Sequence, residues 1–294
     1  MAKSQRKASR ARARPLRADL HIHTTASDGR WTPEQVVAGC LAEGIELLAV
    51  ADHDAVDNVL ATEAPALEAG LAFLRAAEIG ALSGGRLLHI LGYGIDPTDP
   101  LLLGLLRENT ALFEAADDAT IRGLIALGYD LDHEAYLAYT YDRTRGGFKA
   151  LNFCLDQGVA ADAKDFMRNT RPQLNLGWPP LRPPRDVIDT IRRAGGYAIL
   201  AHPGASLPID IEQLDAAADA LADLVDDGLA GVECYSQYHD VATTAFCVDW
   251  CLERDLIITG GSDYHGGFVG RRLGVPIVDT GQLHLGPLEP LIRR

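Results

Sequence analysis

The chain has 294 residues, of which 47% are hydrophobic, and 41 acidic residues outnumber 27 basic ones to give a net charge of -14. This composition excludes a disordered chain, a collagen-like polymer and a mini-protein. The length suits one large α/β domain, with or without a sizeable insertion. No apolar run approaches the roughly 20 residues that cross a bilayer, because the leucine-rich stretch 101–106 is followed at once by Arg107 and Glu108. We therefore predict a soluble protein without a membrane partner.

Charge is distributed unevenly along the sequence. Residues 1–17 contain seven basic residues and no acidic one, so 20 basic residues face 41 acidic ones in the rest of the chain. A body this acidic repels the phosphate backbone of long nucleic acids, and we predict no binding to duplex DNA. Small anionic substrates held at metal ions are compatible with this charge. The segment 1–17 is predicted to be a disordered, solvated tail.

The five cysteines are scattered and never follow the spacing Cys-x-x-Cys. This pattern argues against a disulfide framework and against a zinc finger. We expect reduced thiols and a cytoplasmic location, and the sequence leaves the oligomeric state open.

Short apolar runs alternate with helical patterns in the first hundred residues, which is typical of βα units around a parallel sheet or barrel. Thr32 is the expected N-cap of the first helix, with Pro33 in its first turn. A Ser-Gly-Gly turn at 83–85 is expected to join two strands. The predicted elements are a strand at 18–23, a helix at 33–43, a strand at 46–51, a helix at 58–69, and strands at 71–78 and 86–93.

The pattern changes between residues 100 and 184, where helical periodicity such as that of 101–127 is followed by Gly146-Gly147 and two Pro-Pro pairs. We predict a helical insertion subdomain at 100–184, which divides a catalytic barrel formed by 18–99 and 185–294. In the second barrel segment, we predict helices at 185–194, 211–226 and 241–254 and strands at 197–201, 230–235 and 256–260.

Six of the nine histidines lie at or just beyond the ends of predicted strands. In a βα barrel the carboxyl ends of the strands converge on one face, so these side chains would meet in one site. His21 and His23 alternate with apolar residues, which places both imidazoles about 7 Å apart on one strand face, where they can chelate one ion. Asp19 is a candidate for orienting them. The six histidines are His21, His23, His53, His89, His202 and His265.

Carboxylates accompany the histidines at the strand ends, among them Asp28, Glu78 and Asp263. Imidazole and carboxylate together suit Zn, Mn and Fe, and because one ion needs only about four to six ligands, this many candidates indicates two or three divalent ions. A carboxylate such as Glu78 can bridge two ions at roughly 3.5–4 Å. That arrangement generates and positions a hydroxide for attack on phosphorus.

Five motifs carry a resemblance to a known family: Asp19-Leu20-His21-Ile22-His23-Thr24, Ser27-Asp28-Gly29, Ala51-Asp52-His53-Asp54, His202-Pro203 and Gly261-Ser262-Asp263-Tyr264-His265. They resemble the signature motifs of the PHP (polymerase and histidinol phosphatase) family. The resemblance implies a distorted seven-stranded (β/α) barrel of the PHP/amidohydrolase type, two or three metal ions, and phosphoester hydrolysis. The phrase His89-Ile90-Leu91-Gly92-Tyr93-Gly94 is similar to small bacterial members that cut nucleotide 3',5'-bisphosphates and short RNA ends.

The resemblance also implies roles for individual residues. The first ion would be held by His21, His23, Glu78 and Asp263, the second by Glu78 as a bridge together with His89, and the third by Asp28, His53 and His265. His202 would be either a ligand or the acid that protonates the leaving oxygen. His202 and Asp263 are the implied catalytic residues.

One position departs from the pattern of these relatives, which carry a metal-binding histidine in a sequence like Arg-x-His-Phe-Ala. Here Arg145-Gly146-Gly147-Phe148-Lys149 places glycine where that histidine is expected. The second ion would therefore lose a ligand. Either it binds more weakly, or Lys149 fills the gap with an ammonium that can face a phosphate but cannot coordinate a metal while charged.

Phosphate charge that the metals leave unneutralised needs cationic partners. The candidates for substrate binding are Arg143, Arg145 and Lys149 in the insertion and Arg271 and Arg272 after the last motif.

The sequence thus predicts a metal-dependent phosphoesterase for small phosphomonoesters, with nucleotides and nucleotide bisphosphates first and short RNA ends as a further class. Two alternatives stay open. A C–N hydrolase of the amidohydrolase type would need a lysine bridging two metals, at the position where this chain has Glu78. A non-catalytic metal-binding or regulatory module is motivated by Gly147.

Overall fold

The computed structural model describes residues 14–207, 209 and 214–294, and these form a mixed α/β fold. Nine strands in this part of the chain form two sheets. The strands are β1 (Arg17–Ile22), β2 (Leu47–Val50), β3 (Ala72–Phe73), β4 (Ala76–Ser83), β5 (Arg86–Tyr93), β6 (Tyr197–Leu200), β7 (Gly231–Tyr235), β8 (Ile257–Gly260) and β9 (Val278–Asp279).

Helices lie at all five positions predicted outside the insertion, and α1 and α3 begin at side-chain caps. Thr32 caps α1 in a capping box with Gln35, and Asp99 caps the long α3 by accepting hydrogen bonds of 2.9 Å from the N–H groups of Leu101 and Leu102. The α-helices are α1 (Pro33–Ala42), α2 (Val59–Glu68), α3 (Pro100–Ala126), α4 (His133–Ala138), α5 (Lys149–Asp156), α6 (Ala163–Asp165), α7 (Pro184–Arg193), α8 (Pro203–Ser206), α9 (Leu214–Asp226) and α10 (Val241–Leu252). Shorter helical turns span Arg143–Arg145, Phe166–Thr170, Arg171–Leu174 and Gly286–Leu291. None of the helices among the described residues is both long and apolar enough to cross a membrane.

The two sheets have the strand orders β3-β2-β1-β9 and β4-β5-β6-β7-β8. Strands β1 to β3 run parallel, as do β6 to β8, whereas β5 is antiparallel to both of its neighbours. Isolated bridges from His53 to Glu78 and from Ile22 to Tyr264 join the sheets near the strand ends. The predicted α/β class is confirmed, but a closed seven-stranded barrel is not, because nine strands are divided between two sheets.

Three sequence-based boundaries need correction. The single strand expected at 71–78 is two strands, because the chain leaves the first sheet after Phe73 and enters the second at Ala76. The side chain of Arg75, at this crossing, donates to Glu63 of α2 at 2.5 Å. The short β9 was not predicted. Residues 1–13 of the expected tail and 211–213 of the expected helix lie outside the described residues, but Arg17 already belongs to β1.

Separate apolar cores underlie the sheets and the inserted helices. Ile22, Val50, Ile79 and Ile90 are buried between the strands and the helices around them. In the insertion, a separate apolar core is formed where Ile121 and Leu124 of α3 pack against Tyr136, Phe153 and Phe166. The division into a barrel and an insertion subdomain stays a prediction.

Candidate metal centre

Four buried side chains meet at one point. They are His21 in β1, His23 just after β1, Glu78 in β4 and Asp263 after β8, and one ligand atom from each lies within 4.8 Å of the others. Glu78 was expected at a strand end, but it is the third residue of the eight-residue β4. His23 Nε2 is 2.9 Å from Asp263 Oδ1, and His21 Nε2 is 3.2 Å from Glu78 Oε2. The structure therefore brings together the four residues of the first expected ligand set.

The end of β1 is irregular where it carries the two histidines. The pairing of β1 with β2 shifts register between Asp19 and Ile22, and Leu20 and Ile22 are fully buried in two different apolar clusters. His21 Nε2 and His23 Nε2 nevertheless both reach Glu78 Oε2, at 3.2 and 3.3 Å. Gly261 lies against β1 at His21, where an added Cβ would be 2.5 Å from His21 N. A side chain at 261 would push the end of β8 away from β1, so glycine is required for this close approach.

Glu78 is the centre of the wider cluster because its two carboxylate oxygens face different groups. Oε2 lies 3.0 Å from His53 Nδ1 and also faces His21 and His23. Oε1 lies 3.1 Å from His89 Nδ1 and 2.9 Å from His202 Nε2. This is the arrangement that a carboxylate bridging two ions requires.

Two further groups adjoin the central one. His53, Glu78 and His89 form one, and Asp28, His53 and His265 form the other together with His23. His265 Nε2 lies 3.2 Å from Asp28 Oδ1. The side chains of His53 and Asp28 are 30% and 26% exposed, which places these groups nearer to solvent than the central four.

The central residues fit a divalent cation. Among the described residues, His21 Nε2, His23 Nε2, Glu78 Oε2 and Asp263 Oδ1 are buried atoms without a hydrogen-bond partner. Leaving such an atom unpaired costs about 1–3 kcal/mol, yet here two imidazole nitrogens and two carboxylate oxygens are directed at one point. This donor set suits Mn, Fe or Zn.

Charges within the cluster shift its pKa values strongly. Burial acts to lower the pKa of His21, but Glu78, Glu233 and Asp263 outweigh it and leave that pKa well above its ordinary value. Burial likewise opposes the charged forms of His53 and His265, yet nearby carboxylates raise their pKa values to about 10 and about 9. The carboxylates therefore draw protons onto the imidazoles, and a metal cation at the same place would have to displace those protons.

The arginine side chains that were expected to bind phosphate differ in their hydrogen-bond partners. Arg271 donates to the backbone carbonyl of Asp263 at 2.9 Å and to its carboxylate, beside the central group. Arg143 donates to the carbonyls of Thr25 and Ala26, in the loop after β1. Arg145 instead bonds Asp156 at 2.7 and 2.8 Å, which argues against its expected role at the substrate. Arg272 is exposed.

Lys149 does not fill the expected gap in the second ligand set. Its Nζ donates to the carbonyl of Leu137 at 3.1 Å and lies 4.6 Å from the ring of Tyr136. The ammonium is thus held by the insertion itself, although Lys149 still contributes to the wall of the cavity described below.

Gly147 stands where the backbone has no room for a side chain. Its φ is +73°, and an added Cβ would lie 2.8 Å from Leu151 Cδ2 and 2.9 Å from Phe268 Cζ. Its N–H donates to the carbonyl of Asp28 at 2.8 Å. The loop therefore approaches the metal residues through its backbone, and a histidine at 147 would not fit without a change in the loop.

A cavity of about 870 Å³ leads from the metal residues into the insertion. Asp28, His53 and His89 line one end, and side chains of α3 and of the segment that carries Trp178 line the rest. Arg107, Arg143, Lys149 and Arg171 contribute positive charge to the wall. The volume lies within the roughly 300–1,000 Å³ typical of small-molecule sites.

Sequence reasoning missed two buried acids that support the site. Glu233 of β7 lies 2.9 Å from His21 Nδ1, and Asp52 accepts hydrogen bonds from Thr24 N at 2.7 Å and from Ser27 Oγ at 2.5 Å. A carboxylate inside the apolar run of β7 was the available signal, because Glu is almost never fully buried unless it is paired. Asp52 is part of the Ala51-Asp52-His53-Asp54 motif, but no role was predicted for it.

Comparisons with curated proteins identify relatives that span most of the chain. A phosphoribosyl 1,2-cyclic phosphate 1,2-diphosphodiesterase of Eggerthella lenta is 32% identical over 257 residues, which cover 85% of this chain and 94% of the relative. A 3',5'-nucleoside bisphosphate phosphatase of Chromobacterium violaceum is 28% identical and covers 94% of this chain and 93% of its own length. The 5'-3' exoribonuclease Rnm of Escherichia coli is 31% identical over 198 residues, 63% of this chain and 65% of its own.

Solved structures agree with these relatives. An amidohydrolase from Chromobacterium violaceum superposes with a TM-score of 0.75 at 25% identity, covering 94% of this chain and 97% of its own. A structure from Bifidobacterium adolescentis assigned as a metal-dependent phosphoesterase shares the fold, with a TM-score of 0.75 at 24% identity and coverage of 90% and 93%. No protein-family model matches the chain.

The chain belongs to the PHP family of metal-dependent phosphoesterases, as the strand-end motifs predicted. It is a hydrolase that acts on phosphoric ester bonds. The phosphoesterase interpretation is thus confirmed over the C–N hydrolase alternative, and the clustered histidines and carboxylates agree with dependence on metal ions.

Proposed function

We propose that the protein hydrolyses small phosphomonoesters of nucleotide size at a centre of two or three divalent ions of Mn, Fe or Zn. The observation that carries this proposal is the convergence of four unpartnered buried ligand atoms, one of them from Glu78, whose carboxylate faces five histidines. The first ion would be held by His21, His23, Glu78 and Asp263, the second by Glu78 together with His89, and the third by Asp28, His53 and His265.

Divalent ions bound there would lower the pKa of water and neutralise charge on the phosphate oxygens. The protein's own residues would orient the ester. Arg271, beside Asp263, and Arg143, at the mouth of the cavity, are placed to face phosphate oxygens. His202, whose Nε2 lies 2.9 Å from Glu78 Oε1, serves either as a further ligand or as the donor of a proton to the leaving oxygen.

The cavity supports a leaving group of nucleotide size. It begins at the metal residues, offers apolar and aromatic wall from Phe113 and Trp178, and carries positive charge from Arg107 and Arg171. We propose that the insertion, residues 100–184, selects the substrate, whereas residues 18–99 and 185–294 provide the metal ligands. Nucleotides and nucleoside bisphosphates are the first candidates, followed by short RNA ends, because relatives with these activities match the chain.

Metal content and phosphate release should be measured on the same purified protein. The panel comprises nucleotide monophosphates, 3',5'-bisphosphates, a short 5'-phosphorylated RNA and phosphoribosyl 1,2-cyclic phosphate, the last because of the Eggerthella relative. We expect two or more bound ions and turnover that chelation removes and Mn²⁺ or Zn²⁺ restores. A release of product from the cyclic ester alone would reject the monoester proposal.

Two histidine variants make the test specific. His23→Ala removes a ligand shared by two groups and should abolish turnover and reduce the metal content. His284→Ala is the matched control, because His284 pairs with Asp255 at 3.1 Å, outside the three ligand groups. A metal-loaded protein that releases no phosphate from any ester would instead support a non-catalytic module.

A further inference from the structure

Glu233 is a fully buried carboxylate in the middle of β7, behind the metal residues. Its Oε1 lies 2.9 Å from His21 Nδ1, and its Oε2 accepts a hydrogen bond of 2.9 Å from the backbone N–H of His202. Neither contact was expected from the sequence, and Glu233 belongs to none of the three ligand groups. Each oxygen of one side chain therefore supports a different residue of the site.

The contact with His21 settles which ring nitrogen is available at the centre. With its Nδ1–H directed at Glu233, the imidazole presents Nε2 to Glu78 and Asp263, at 3.2 and 3.5 Å. A carboxylate in this position fixes both the tautomer and the orientation of a metal-ligating histidine and increases its basicity.

The contact with His202 supports a strained backbone. His202 immediately precedes α8 and has a backbone φ of +26°. Residues other than glycine rarely adopt a positive φ. Such strain costs on the order of 1–3 kcal/mol and persists only where surrounding contacts hold it. The hydrogen bond from His202 N to Glu233 is such a contact, and it keeps the imidazole within 2.9 Å of Glu78.

We propose that Glu233 is a positioning residue that holds His21 and His202 in register on the two sides of Glu78, so that the metal centre is assembled before any ion binds. This inference rests on the proposed function. Glu233 touches neither the point where the four ligand atoms converge nor the cavity, so it acts only through the two histidines.

The affinity for Mn²⁺ alone, measured by competition with a fluorescent chelator, tests the proposal without substrate. Glu233→Ala removes both contacts and should weaken binding about 10- to 100-fold. Glu233→Gln keeps the shape of the side chain but has only one acceptor oxygen, so it should recover part of the loss. Glu63→Gln is the matched control, because Glu63 is also a buried carboxylate, paired with Arg75 and Arg293 away from the site.

Histidine NMR of the Zn²⁺-loaded protein gives a second readout that a general loss of stability would not reproduce. The wild type and Glu233→Gln should show a slowly exchanging Nδ1–H proton of His21, which should be missing from Glu233→Ala. If Glu233→Ala does not fold, Glu233→Gln decides the matter through its Mn²⁺ affinity.

Three outcomes would overturn the proposal. They are wild-type Mn²⁺ affinity in Glu233→Gln, wild-type affinity in a folded Glu233→Ala, and an equal loss in Glu63→Gln. Failure of the proposed function would give a different experimental result, because the wild-type protein itself would then bind no metal or release no phosphate.

Discussion

Replacing Gly147 by alanine tests whether the loop near the metal residues depends on glycine. The residue has φ of +73°, which costs an alanine about 1–2 kcal/mol. The added Cβ would also overlap Leu151 Cδ2 at 2.8 Å and Phe268 Cζ at 2.9 Å, and overpacking of this kind costs roughly 1–3 kcal/mol. We therefore expect Gly147→Ala to lower the free energy of unfolding by about 2–5 kcal/mol.

Gly158→Ala separates the two contributions. Gly158 has φ of +70° but nothing within 4 Å of an added Cβ, so its substitution carries only the backbone cost. Urea unfolding of both variants should show the larger loss for Gly147→Ala, and each kcal/mol should lower the Tm by roughly 2–4 °C. Equal losses in the two variants would show that Phe268 and Leu151 move aside freely and that the reasoning about space is wrong.

The same geometry makes a prediction about metal binding. Gly147→His introduces the side chain that relatives were expected to carry, but it meets the same backbone conformation and the same two neighbours. We expect it to destabilise the protein at least as much as Gly147→Ala and not to tighten Mn²⁺ binding. A tighter complex would mean that the loop rearranges to provide a ligand.

Three further predictions concern stability and thiol access. Asn109→Ala removes hydrogen bonds from a buried amide to Asp54 Oδ1 at 2.7 Å and to Gly80 O at 2.9 Å, and urea unfolding should show a loss of about 2–3 kcal/mol. Burial raises the pKa of Asp117 from 3.8 to about 6, so the folded state loses stability as pH rises between these values, and Asp117→Asn should be more stable than the wild type at pH 7 by up to about 3 kcal/mol. Thermal unfolding at pH 3.5 should show that this advantage has disappeared, and an unchanged advantage would contradict the assignment. All five cysteines are buried, so a thiol reagent should label them slowly until denaturant is added, and rapid labelling of the native protein would count against the packing around them.

The clustering of the expected ligand residues could be predicted because their signal is local. His21 and His23 alternate with apolar residues on one strand, and most of the other expected ligands lie at strand ends, where the fold brings distant segments together. Interactions between distant residues gave no such signal. The apolar run of β7 indicates that Glu233 is a buried carboxylate that needs a partner, but it does not identify His21 and His202, which lie 212 and 31 residues away.

The errors in the predicted strands have the same origin, because strand pairing also depends on residues that are distant in sequence. Residues 71–78 are apolar apart from Arg75 and Glu78 and were predicted as one strand, but the strand is divided because Phe73 pairs in one sheet and Ala76 in the other. The two-residue β9 exists because β1 offers it an antiparallel partner. Local propensity could not indicate either arrangement, since both depend on which strand lies alongside. The contacts of Arg145 with Asp156 and of Lys149 with Leu137 likewise join residues 11 and 12 positions apart within the insertion, and the roles of both at the substrate stay predictions.

Backbone strain at the site shows how the fold maintains the ligand arrangement. Among the described residues, five other than glycine have positive φ, and Asp54, His202 and Asp263 are the three that lie at the metal centre. Each is restrained by a separate side chain: Asn109 bonds Asp54, Glu233 bonds His202 and Arg271 bonds Asp263. Because strained conformations persist only where their surroundings hold them, loss of one of these side chains should relax one strand end and leave the others in place. Loss of Asn109 should therefore affect the two ligand groups that contain His53, and loss of Glu233 the one group that contains His21.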